Sequence, residues 1–248
     1  MLIVAACLGL ATPGLGESVV AGLSQDAISI TTNFEGSEIL IFGAVRREAP
    51  PPAGSDLHVI VTVEGPPRPV TVRRKDRRFG IWVNTEAAEI DLAPTFYAVA
   101  TTDDLETVLT ATEDLRHRIT TPWAIRAVGT GLADQDLFID ALIRIRTDET
   151  LYQLNEGTVT LRDETLFDTA VRLPANLVEG DYRTRIFLTR DGEIVDQLVQ
   201  DITVRKVGLE RWIYNLAHDR PLVYGILSLT IAIAAGWLAS AVFRYLRG

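Results

Sequence analysis

The sequence predicts a mainly β fold: an immunoglobulin-like β-sandwich body with a helical middle segment, plus one C-terminal transmembrane helix. Three observations predict it. Short runs rich in Val, Ile and Thr recur between Gly and Pro punctuation, the pattern of a sandwich. Between two such stretches the apolar spacing changes to a helical period. Near the C-terminus, residues 221–243 carry no charge.

The elements follow in chain order. Residues 1–11 form an uncharged apolar run with small residues behind it, which reads as a signal peptide over 1–21, cleaved after Gly16 or Ala21. No Lys or Arg precedes the run, so a basic n-region is missing and the true start is expected upstream. Cys7 lies in a lipoprotein-like box, but the residues after it stay apolar and a lipid duplicates a protein anchor. An incidental Cys is the expectation.

An N-terminal β-sandwich domain is expected over 22–101. Runs 27–34 and 38–45 are β-rich and read as a hairpin about Glu35-Gly36-Ser37. A Pro-rich loop over 49–54 excludes regular structure there. Strands are expected at 57–64, 70–74, 79–83, 89–92 and 96–100.

A helical segment is expected over 102–152. Thr102, Asp103, Asp104 and Glu106 resemble a capped helix start, and Leu105, Val108, Leu109 and Leu115 approximate one stripe. A second helix is predicted over 134–152, with Leu137, Phe138, Ala141, Leu142, Ile145 and Leu151 on one face.

A C-terminal β-sandwich portion is expected over 153–206, with a two-residue turn at Asp191-Gly192. Tyr182 either opens a tyrosine corner of the immunoglobulin type or is an ordinary half-buried strand aromatic.

An amphipathic juxtamembrane helix is predicted over 207–220. Leu209, Trp212, Ile213, Leu216 and Ala217 share a face that suits the membrane interface. Residues 221–243 then make roughly 34 Å of helix at about 1.5 Å per residue, enough for a hydrocarbon core of about 30 Å. The short tail 244–248 carries two Arg and no acid and is expected in the cytoplasm, which together with the leader puts the body outside.

Composition restricts function more than it assigns it. Hydrophobic residues make up 47% of 248 and charged residues 23%, so the bulk is globular. A net charge of -9 argues against nucleic acid as a partner. One Cys excludes an internal disulfide, and three His lack acidic or thiol companions at ligand spacing. No metal, no cofactor and no catalytic residue are expected: the nucleophile-elbow, zinc-protease, dinucleotide and phosphate-loop motifs are all missing. The pairs Asp103/Asp104 and Asp134/Asp136/Asp140 lie at helix starts, where acids serve the dipole.

Charge is segregated. Residues 43–78 hold eight bases against four acids, a net of +4, whereas 79–204 hold ten against 23, a net of -13. The basic cluster Arg73, Arg74, Lys75, Arg77 and Arg78 is a candidate site for a small anion or lipid headgroups, unless it pairs with the chain's own acids. In the apolar helix, Ser228, Ala232, Gly236 and Ser240 recur every four residues, a spacing that lets another helix approach closely. The expected partners are therefore the lipid bilayer and a membrane protein, or a second copy, met through this helix.

Several segments carry a resemblance: Phe34-Glu-Gly-Ser-Glu-Ile-Leu-Ile-Phe-Gly-Ala44, Gly80-Ile-Trp-Val-Asn84, Phe96-Tyr-Ala-Val-Ala100, Leu173-Pro-Ala-Asn176 with Gly180-Asp-Tyr182, Lys206-Val-Gly-Leu-Glu210, Tyr224-Gly225 and Gly236-Trp-Leu-Ala-Ser240. Together they resemble the putative transmembrane protein family of alphaproteobacteria, whose members have no established activity. The resemblance implies an inner-membrane location, single-pass, with a periplasmic body. It also implies association with a neighbouring sulfite-exporter-type permease. The expected function is thus that of a non-enzymatic accessory subunit of a membrane transport assembly. The alternative is a periplasmic small-oxyanion-binding module built on the basic hairpin.

Overall fold

The computed structural model describes residues 16–25, 27–30, 36–47, 54–127, 135–206 and 209–247. The apolar leader run, Cys7, the Glu35 turn position, the Pro-rich loop over 49–53 and Asp134 lie outside the described residues, as do the side chains of Leu209 and Trp212.

The body is mainly β. Its strands are β1 (Glu17–Leu23), β2 (Ala27–Ile30), β3 (Ser37–Arg47), β4 (Leu57–Glu64), β5 (Pro67–Arg78), β6 (Ile81–Pro94), β7 (Tyr97–Thr101), β8 (Tyr152–Asn155), β9 (Thr160–Arg162), β10 (Leu166–Leu173), β11 (Gly180–Arg190) and β12 (Glu193–Lys206). Among the described residues four helices fall between β7 and β8: α1 (Leu105–Val108), α2 (Ala111–His117), α3 (Thr121–Ala124) and α4 (Gln135–Asp148).

Two sheets form the sandwich, in the orders β1-β3-β10-β9 and β2-β12-β11-β4-β7-β8. Alternation places Ile39, Ile41 and Val45 of β3 and Phe167, Val171 and Leu173 of β10 in the core. Strands β4 and β7 are buried nearly throughout, because the sheet is covered on both faces. Paired residues share a face, so Val61, Ala100 and Ile186 lie on one side and Thr62, Val99 and Phe187 on the other. On that second side Phe187 meets His117 of α2 edge-on, and the Tyr97 hydroxyl donates to the Ile119 carbonyl at 2.7 Å.

The helical segment has a topological cause. Strands β7 and β8 are parallel, and parallel neighbours require a long crossover. This pair extends the expected sandwich beyond a purely antiparallel arrangement. It also fixes the boundary: the second helix ends at Asp148, not at 152, because Tyr152 enters β8 and its hydroxyl donates to the Pro94 carbonyl at 2.8 Å. The first expected helix is two. Leu109 is extended and ends α1, Thr110 starts α2, and Leu115 faces outward.

Strands from both expected β stretches, 22–101 and 153–206, enter the same two sheets. Among the described residues, β2 and β3 belong to different sheets, so Ala27–Ile30 does not pair with β3 as the hairpin expected between 27–34 and 38–45 requires. The runs 79–83 and 89–92 are parts of one strand, β6, with Phe79-Gly80 as the turn before it.

Strand β1 begins inside the segment expected as leader, and it pairs with β3 from Glu17↔Arg47 to Leu23↔Ile41. A cut after Ala21 would remove most of this strand, while a cut after Gly16 leaves it whole. Glu17 opens the strand and links the sheets. Its carboxylate accepts from Arg190 of β11 at 2.7 and 2.8 Å and from Arg47 of β3 at 2.8 Å. Arg190 also donates to the Ser55 carbonyl, and Glu164 completes the cluster from the turn before β10. The guanidinium of Arg190 holds Glu17 below the ordinary carboxylate range against the opposing effect of burial.

Two local expectations take definite form. Asp191 and Gly192 both have positive φ, 50° and 78°, as a two-residue turn between antiparallel strands requires. Tyr182 is buried and its hydroxyl donates to the Val178 carbonyl at 2.8 Å, which makes it a tyrosine corner. Burial pushes its phenol up to about 12.

The remaining unit holds α5 (Leu209–Asp219) and α6 (Pro221–Arg247). Backbone hydrogen bonds from Arg220 to Leu216 and from Tyr224 to Arg220 carry the helical pattern through their junction. Tyr214 stacks on His218 with ring centroids 4.0 Å apart. Helix α6 runs to Arg247, so the residues 244–247 expected as a tail continue the helix.

Candidate functional site

Two features expose large apolar side chains: helix α6 and the β5–β6 ribbon. The 20-residue stretch Pro221–Ser240 is long and apolar enough to cross a membrane, and none of it is buried in the protein. Ser228, Ala232, Gly236 and Ser240 fall on one stripe of this helix, and a Cβ placed on Gly236 would meet nothing within 4 Å.

The ribbon is a two-stranded sheet of its own. At its base Val72, Ala88 and Ile90 are buried. Arg74 lies 5.3 Å from the centroid of the Phe138 ring on α4 and bridges Glu86 at 2.8 Å. Beyond a bulge at Arg74/Lys75 the ladder continues to Arg78↔Ile81. Residues 75–79 extend it by about 14 Å, at roughly 3.4 Å per residue.

The five bases therefore do not converge on a pocket. Alternation divides them between the two faces of a narrow ribbon, and Arg74 is engaged at its base. Among the described residues, Arg73, Lys75, Arg77 and Arg78 have no carboxylate within ion-pair distance. At the tip Phe79 is fully exposed, while Ile81 and Trp82 are 65% and 68% exposed. The strand expected over 79–83 gives no sign that these three apolar residues form an exposed tip. The signal that marks them is Phe79-Gly80 between two alternating runs, a turn dipeptide with a Phe where Asn or Asp is usual.

Other titratable groups are committed locally. The Glu113 carboxylate, beside a hollow lined by Thr110, Thr112, Arg116, Glu193 and Ile194, pairs with Arg116 and lies 3.4 Å from His117, so, against the expectation, His117 has an acidic companion one helical turn away. His58 contacts the Thr102 hydroxyl at 3.1 Å. Asp103 accepts from the Asp104 backbone N–H, and Asp136 sits in the first turn of α4. Among the described residues no group of three His, Cys, Asp or Glu side chains could hold a metal ion.

A family model described as putative transmembrane protein, Alph_Pro_TM, matches residues 18–245, from the second residue of β1 to the last turns of α6. The chain belongs to the Alph_Pro_TM family. No curated protein matches this Alph_Pro_TM chain. Among solved structures it is similar to the sporulation control protein Spo0M of Bacillus subtilis, at 12% identity and a TM-score of 0.29, over 82% of this chain and 54% of that one. The chain thus spans about half the length of Spo0M, and a likeness this distant carries no argument about fold or function.

Proposed function

We propose that this Alph_Pro_TM protein is a non-enzymatic, single-pass accessory subunit of a membrane transport assembly, with its sandwich body in the periplasm and its C-terminus in the cytoplasm. The observation that supports the reading is α6: Pro221–Ser240 is long and apolar enough to cross a membrane and is exposed along its length, and such a helix needs lipid or another helix around it. The family resemblance favours a sulfite-exporter-type permease as the assembly. The stripe of Ser228, Ala232, Gly236 and Ser240 is the face through which α6 meets its partner, where small side chains allow close backbone approach.

Purification of the full chain from membranes in mild detergent should recover a polytopic membrane protein in fixed ratio. Recovery of the chain with no membrane partner would count against the accessory role. Orientation has its own test. A reporter active only outside the cytoplasm should be active when fused at residue 206 and silent when fused after Gly248. The opposite pair of outcomes would invert the topology.

The alternative, a small-oxyanion-binding module, has one supporting observation: Arg73, Lys75, Arg77 and Arg78 have no carboxylate within ion-pair distance among the described residues. Their division between two faces favours a surface as ligand over an enclosed ion.

A further inference from the structure

We infer that the tip of the β5–β6 ribbon docks on an anionic lipid surface, with Phe79, Ile81 and Trp82 entering the headgroup region and Arg73, Lys75, Arg77 and Arg78 meeting the lipid phosphates.

The first argument is the tip itself. Phe79 has φ 50° and Gly80 φ 85°, the left-handed pair that a two-residue hairpin turn demands. A bulky side chain is disfavoured in that region, where Asn, Asp or Gly serves without strain. Phe79 gains nothing from the fold in exchange, since its ring is fully exposed. Ile81 and Trp82 repeat the pattern on the two faces of the ribbon. Large apolar side chains gathered at an exposed, strained turn point to a surface outside the fold.

The second argument is charge. Arg73, Lys75, Arg77 and Arg78 lack ion partners among the described residues, and Asp76 is the one acid between them. The chain from 79 to 204 holds 23 acids against ten bases. An anionic surface therefore repels most of the body and attracts the ribbon, which selects one end for contact. An apolar tip with a basic collar matches a lipid surface layer by layer: phosphates outside, hydrocarbon beneath. A small free oxyanion would satisfy the bases but leave the aromatic tip unexplained.

The third argument is proximity. The chain carries its own membrane-spanning helix, so the ribbon is never far from a bilayer and even a weak contact is populated through high effective concentration.

The test uses the full chain with Trp123, Trp212 and Trp237 replaced by Phe, reconstituted in phosphatidylcholine vesicles with or without phosphatidylglycerol. Brominated acyl chains then report whether Trp82 reaches the hydrocarbon. We expect at least twofold quenching of Trp82 emission in the phosphatidylglycerol vesicles. It should weaken with added sodium chloride and fall severalfold when Arg73, Lys75, Arg77 and Arg78 are all changed to Gln. Phe79→Ser should also weaken it, with the circular dichroism spectrum unchanged.

Equal, weak quenching in both vesicle types would overturn the inference. So would burial of Trp82 that grows with protein density and ignores brominated lipid, which indicates a second copy as the occupant. Loss of quenching with phosphate or sulfate but not with chloride at equal ionic strength would assign the bases to a free oxyanion instead. A failed search for a membrane partner bears on the proposed function and leaves this measurement untouched.

Discussion

Replacing Arg190 by Met is expected to lower the stability of the sandwich by about 3 kcal/mol, near the low end for breaking a buried ion pair. Glu17 and Arg190 are 4% and 3% exposed in their side chains, and they join the start of β1 in one sheet to the end of β11 in the other. Removing the guanidinium leaves Glu17 buried with Arg47 as its one remaining ion partner among the described residues. That remaining contact keeps the loss from being larger. Thermal unfolding of the full chain in detergent, followed by circular dichroism, measures the shift.

The same pair sets an acid dependence. The folded pKa of Glu17 lies below its unfolded value, chiefly through the Arg190 hydrogen bonds. The stabilisation is therefore fully present above the ordinary carboxylate range and is lost as pH falls through the depressed value. Glu17→Gln removes this contribution, so the variant should be less stable near neutrality and lose less on acidification. A variant that loses as much as the wild type would show that other groups govern the acid limb.

Gly43→Ala should have a comparable effect, about 3 kcal/mol, by overpacking. Gly43 lies in β3 between Ala21 of β1 and Phe167 of β10. A Cβ there would come within 2.5 Å of the Phe167 ring and 2.6 Å of the Val20 carbonyl oxygen. The ring can be shortened but the carbonyl cannot move without breaking the β1–β3 ladder. Phe167→Leu should thus rescue Gly43→Ala only in part, and the double variant should fall short of the sum of the single losses. Full additivity would mean that the glycine and the ring do not share the space.

Much of this architecture is legible in the residues, for physical reasons. The run 57–64 gives β4 because its Val and Ile make it apolar enough to centre a sheet covered on both faces. Asp191-Gly192 gives its hairpin because two adjacent left-handed positions select a narrow set of residues. Tyr182 is placed by its spacing from the Leu173-Pro174 corner, although only the structure decides between corner and ordinary aromatic.

What was not legible is long-range pairing. Nothing local in 27–45 shows that β2 and β3 lie in different sheets, or that β7 must pair in parallel with β8 across some fifty residues. Strand β1 was hidden because Val, Ala and Gly serve equally as a leader's cleavage region and as a strand. For the candidate site, the basic cluster was visible as charge. Its ribbon geometry was not, because the polar residues Asn84, Thr85 and Glu86 interrupt the alternation within β6.

Co-purification decides whether α6 meets a membrane partner through its small-residue stripe. The chain is recovered from membranes in mild detergent as wild type, as Gly236→Leu and as Leu238→Ala, and the co-purified membrane protein is quantified per mole of chain. Leu at 236 holds an opposing backbone away without hindering insertion, since Leu favours the bilayer by a few tenths of a kcal/mol. Residue 238 lies on another face of the helix. All three chains are expected in equal amounts in the membrane, with the partner retained by wild type and Leu238→Ala and reduced at least tenfold for Gly236→Leu. Equal recovery of partner by all three, or none by any, would contradict this expectation.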